Sequence, residues 1–77
     1  MKTLIRTKDI ARVEHRESHA IDTLSIYFTD GSSRTLSAEH YEESITQRER
    51  CKQLMQAYKD ITEACNNEKE FVEFEID

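Results

Sequence analysis

The sequence predicts a small α+β fold, an antiparallel sheet in the order β-β-β-α-β packed against one long amphipathic helix, as a single domain over residues 1–77. Three observations carry that prediction. Apolar and polar residues alternate before Asp30-Gly31, the span 38–66 holds neither proline nor glycine, and residues 71–77 alternate again without interruption.

The first strand is read over Ile10 to His15, with Ala11, Val13 and His15 on one face and Ile10, Arg12 and Glu14 on the other. The polar run Arg16-Glu17-Ser18-His19-Ala20 then reads as a loop into the second strand, where Leu24, Ile26 and Phe28 form the apolar face. Asp30-Gly31 supplies the positive φ angles of a tight hairpin turn, and Ser32 to Leu36 returns as the third strand. Gly31 is the only glycine in the chain, and it stands where a turn needs one.

Ser37 suits the N-cap of the helix, with Glu39, Glu42 and Glu43 near its positive end. At the far end, Cys65-Asn66-Asn67 offers asparagine for the left-handed residue that closes a helix. In the second half, Cys51, Leu54, Tyr58, Ile61 and Cys65 recur at spacings of three and four as an apolar seam. Tyr41 and Ile45 project about 120° away from that seam, and between them Thr46-Gln47-Arg48-Glu49-Arg50 holds no apolar residue. A bend near residues 46–50 is therefore allowed, although glutamine, arginine and glutamate favour continuity. Such a helix would run ~40 Å, against ~23 Å for a seven-residue strand, so its far half needs a second surface to cover.

The last strand is Phe71 to Asp77, with Val72, Phe74 and Ile76 inward and Glu73, Glu75 and Asp77 outward.

Net charge is −5, and the charge is polarised along the chain. Residues 1–16 carry Lys2, Arg6, Lys8, Arg12 and Arg16 against Asp9 and Glu14, a net of +3, whereas residues 60–77 carry seven acids against Lys69 alone, a net of −6. Met1 to Arg6 lacks an apolar signal core, and no stretch approaches the ~20 apolar residues of a membrane span. The two cysteines, fourteen positions apart on one helix, would sit ~21 Å from each other, too far for a disulfide. The expectation is a soluble cytoplasmic protein with reduced thiols.

Little in the chain points to catalysis. One glycine cannot cradle a phosphate, and no nucleophile-elbow pattern is present. Cys51 or Cys65 with His40 could form a thiol and imidazole pair, but both thiols lie in the apolar seam, where burial favours the neutral form. His15 and His19 flank Glu17 at a spacing of four, yet in a strand end and loop that spacing does not converge on one ion. The sequence thus predicts no catalytic residue, no metal site and no cofactor.

Two interaction readings follow. In the first, Asp60, Glu63, Glu73, Glu75 and Asp77 form an acidic surface for a partner protein with a basic surface. Its sharpest version is an inhibitor that mimics nucleic acid and occupies the partner's nucleic-acid site. In the second, the seam Cys51, Leu54, Tyr58, Ile61 and Cys65 joins two copies as a homodimer. Direct nucleic-acid binding through the N-terminal basic residues is a weaker alternative, opposed by the net charge of −5.

Overall fold

A computed structural model describes residues 2–39 and 45–76, with side chains from residue 47 onward in the second span. The elements are β1 (Lys2–Arg6), a 3-10 turn (Thr7–Asp9), β2 (Ile10–Glu17), β3 (Ile21–Phe28), β4 (Ser33–Glu39), α1 (Ile45–Asn66) and β5 (Phe71–Glu75). They form an antiparallel sheet β2-β3-β4 and an antiparallel ribbon β1-β5, with α1 packed against strands of both. The α+β class is the one the sequence predicts, with one more strand at the N-terminus.

That strand escapes a periodicity search because its apolar residues, Leu4 and Ile5, are adjacent rather than alternating. What makes it a strand is β5. Lys2 pairs with Glu75 and Arg6 with Phe71, so the two ends of the sequence zip together and Ile5 turns inward onto the core. Thr7 reinforces the join: its amide donates to the Glu70 carbonyl at 3.1 Å, and its hydroxyl donates to the Lys69 carbonyl.

The hairpin falls where Asp30-Gly31 predicts it, but its loop is Thr29-Asp30-Gly31. Phe28 N–H donates to Ser32 O at 2.9 Å, and Gly31 N–H donates to Phe28 O at 3.1 Å. Within this loop Gly31 alone takes a positive φ, of 92°, as a three-residue hairpin with its left-handed position last requires. Asp30 instead braces the turn with its carboxylate, which accepts from the Ser32 amide at 2.8 Å and the Ser32 hydroxyl at 2.5 Å. Those hydrogen bonds to the charged form hold its pKa below the usual carboxylate value.

β4 runs on through Ser37, Ala38 and Glu39, which corrects the helix start expected at Ser37. Ser37 pairs with Thr23 and Ala38 with Asp22, so the segment completes the ladder along β3 and buries Ala38. Pairing and burial outweigh the helix propensity of three residues. The helix still meets this strand: Arg50 Nε donates to Ser37 O at 2.7 Å, and Glu39 N–H donates to Gln47 Oε1 at 3.0 Å. His40, Tyr41, Glu42, Glu43 and Asp77 lie outside the described residues, as does the Ile45 side chain, so their expected roles are not placed.

Helix α1 is unbroken from Ile45 through residues 46–50 to Asn66. Its 22 residues span ~33 Å, close to the longest dimension of the molecule, 37 Å. The length mismatch is resolved by two sheets lying under one helix. Leu54, Ala57, Ile61 and Ala64 project into a shared core with Leu24 and Ile26 of β3, Ala38 of β4, and Val72 and Phe74 of β5. No helix among the described residues is long and apolar enough to cross a membrane.

The helix closes through Glu68 rather than asparagine. Lys69 N–H donates to Ala64 O at 2.9 Å and Glu68 N–H to Cys65 O at 3.3 Å, the paired bonds of a Schellman motif, with Glu68 at φ 53°. A side chain beyond Cβ gains nothing in that conformation. Glu68→Gly is expected to stabilise the fold by ~0.5–1 kcal/mol, read as a higher urea midpoint with an unchanged slope.

Candidate functional site

Two groups of polar residues stand out. The first grows from the pleat of β5. Val72 and Phe74 face α1, so Glu73 and Glu75 face out, in register with Leu4 and Lys2 of β1. Phe71 pairs with Arg6 on the same outer surface and is 42 % exposed, and Leu4 is 64 % exposed. Lys2 Nζ lies 3.7 Å from Glu73 Oε1, a solvent-exposed pair of small worth.

From the helix, Asp60 and Glu63 approach the same strand. Asp60, Glu63, Lys69, Phe71 and Glu73 line one groove between α1 and β5, and Lys2, Asp60, Glu73 and Glu75 line the next. Gln56 Nε2 donates to Asp60 Oδ1 at 2.9 Å across one helical turn and orients that carboxylate. Four of the five residues read as an acidic surface therefore come together at one edge, and Asp77 lies outside the described residues.

The seam residues divide. Leu54 and Ile61 are fully buried within the chain, Cys51 and Tyr58 are half-buried beside them, and Cys65 is exposed in a cleft with Arg6, Thr7 and Lys8. The inward stripe is completed by Ala57 and Ala64, whose single methyl groups let the helix backbone approach the sheets. Leu54 and Ile61 retain no surface for a second copy to bury, and both belong to the core of this chain.

The second group lies at the end of the sheet near the β2–β3 turn, where Ser18 Oγ donates to Ile21 O at 2.8 Å and accepts from Ile21 N–H at 3.0 Å. β2 extends to Glu17, two residues past its predicted end, which puts Glu17 on the same face as His15. Asp22 stands directly across from Glu17 and is only 2 % exposed. Donor atoms of His15, Glu17 and Asp22 all lie within 4.8 Å of one another. The His15 ring sits 5.8 Å from Tyr58 at a 34° tilt, and its Nε2 is buried with no hydrogen-bond partner. From the helix, Cys51 reaches the same spot. Burial pushes its thiol pKa up, and the charge of Asp22, a hydrogen bond to Asp22 and the charge of Glu17 push it further. A thiol held neutral in this way is a poor nucleophile.

Asp22 was the missed residue of this group. Its signal was present in the sequence, because alternation puts Asp22 on the same face as Leu24 and Ile26, a carboxylate on the core side of a strand.

Three of the basic N-terminal residues stand beside partners. Arg12 stacks 4.3 Å over the Tyr27 ring, Arg12 and Arg16 both approach Glu14, and Lys2 pairs with Glu73. Fold and surface together define a small α+β protein with one helix laid across a three-stranded sheet and a two-stranded ribbon. Comparison with family models, with curated proteins and with solved structures finds no match to this chain.

Proposed function

We propose that this chain is a small noncatalytic protein-binding module, whose contact surface is the outer face of the β1–β5 ribbon together with the flanking carboxylates of α1. The observation that supports it is the convergence of Asp60 and Glu63 of α1 with Glu73 of β5 on a groove beside the half-exposed ring of Phe71. An aromatic anchor with a charged rim is the arrangement in which a few residues dominate binding energy while carboxylates select the partner. The partner is a protein with a basic surface, and one that ordinarily holds a nucleic-acid backbone presents the matching charge. Occupying that surface would make the chain an inhibitor by mimicry of phosphate charge.

The test is pull-down from lysate with wild-type protein and with the combined Glu63→Lys, Glu73→Lys and Glu75→Lys variant. The partner recovered by wild type is expected to be lost with the variant, and wild-type recovery is expected to fall as salt rises. Equal recovery by the two proteins would remove the acidic edge from the account. All three substituted side chains are exposed, so the fold is expected to survive the reversal.

A further inference from the structure

We propose that His15, Glu17 and Asp22 bind a single divalent transition-metal ion of the zinc class. Backbone pairing brings the three together. His15 and Glu17 are two apart on β2 and share the face that α1 covers, and Asp22 occupies the β3 position directly opposite Glu17. The donor atoms come from two adjacent strands in fixed register, within 4.8 Å of one another. Zinc bonds of ~2.0–2.2 Å place tetrahedral donors ~3.3–3.6 Å apart, a contraction from the present separations on the scale of side-chain rotation.

Two features of the cluster call for a cation. The first is the His15 Nε2 atom, which is buried and has no hydrogen-bond partner. Metal ligation would satisfy that nitrogen. The second is the pairing of Glu17 with Asp22, like charges facing each other across an antiparallel ladder with one of them almost fully buried. A divalent ion between them turns repulsion into attraction.

The donor set also selects the ion. Magnesium and calcium favour all-oxygen surroundings, whereas an imidazole nitrogen with two carboxylates suits zinc and its neighbours. Binding there would clamp the β2–β3 hairpin, a substantial gain for a chain of 77 residues.

The experiment is calorimetric titration of metal-free protein with Zn²⁺ alone, paired with titration by Co²⁺ followed through its visible absorption. One ion per chain and the intense spectrum of tetrahedral cobalt are expected. Glu17→Gln and His15→Gln should each weaken binding by ~100-fold or more, while His19→Gln, which alters a histidine outside the cluster, should leave it unchanged. Added Zn²⁺ should raise the thermal midpoint of wild type but not of Glu17→Gln. Glu17 is exposed, so its substitution tests ligation without disturbing the core. Absence of stoichiometric binding up to millimolar Zn²⁺ would overturn the proposal, as would His19→Gln weakening binding as much as His15→Gln.

Discussion

Leu54→Ala is expected to destabilise the protein by ~2–5 kcal/mol, measured as a lower urea midpoint by far-UV circular dichroism. Leu54 has no exposed surface and belongs to the core that the helix shares with β3, β4 and β5. Truncation there leaves a cavity that the surroundings can only partly close. For a chain of this length total stability is ~4–12 kcal/mol, so a loss of that size brings unfolding within reach of ordinary temperatures. Cys65→Ala is the control. Periodicity puts both residues in one seam, but Cys65 is exposed in the last turn and its replacement should shift stability by less than ~0.5 kcal/mol. Equal effects from the two substitutions would mean that the whole seam is buried, as a homodimer requires.

Phe74→Ala is expected to cost ~3–5 kcal/mol, and Phe71→Ala less than ~1 kcal/mol, although the two lie three residues apart on one strand. The difference comes from the pleat. Phe74 is 5 % exposed and packs into the core, where its loss loosens β5 and with it the β1 pairing; Phe71 stands 42 % exposed on the outer face. Urea midpoints separate the two variants, and similar midpoints would show that the inward and outward faces of β5 have been exchanged. Phe71→Ala carries a second readout. On the proposed function it weakens partner recovery at nearly unchanged stability, a combination that a purely structural role for the ring would not produce.

Much of the fold was legible because local rules and tertiary packing agreed there. Leu24, Ile26 and Phe28 alternate, Asp30-Gly31 ends the strand, and Val72 and Phe74 turn inward as their spacing requires. Legibility failed where two segments depend on each other across the chain. Lys2–Arg6 has no alternation and becomes a strand only because β5 offers it a partner some seventy positions away. Ser37 to Glu39 has helix-compatible residues and an apparent cap, yet β3 holds it in the sheet. At the end of α1 asparagine was the better candidate for the left-handed position by intrinsic preference, and the return into β5 assigned it to Glu68 instead.

The candidate sites divide in the same way. Glu73 and Glu75 on an outward strand face could be read from period two alone, but their meeting with Asp60 and Glu63 depends on how α1 crosses the ribbon. His15, Glu17 and Asp22 are close in sequence, and still the cluster was out of sight until β2 was seen to run through Glu17 and pair it with Asp22.

The long helix shows the boundary between the two kinds of information. By itself the sequence determined that a helix ends near Asn66, which of its side chains are apolar, and that it is too long for one short sheet, because propensity and periodicity are properties of neighbouring residues. Only the tertiary structure decided that Ser37 to Glu39 belong to the sheet, that Ala57 and Ala64 rather than Cys65 complete the helix's buried stripe, and that two sheets share it. Those outcomes depend on which backbone groups find partners and which surfaces leave water, and both are settled between segments far apart in the chain.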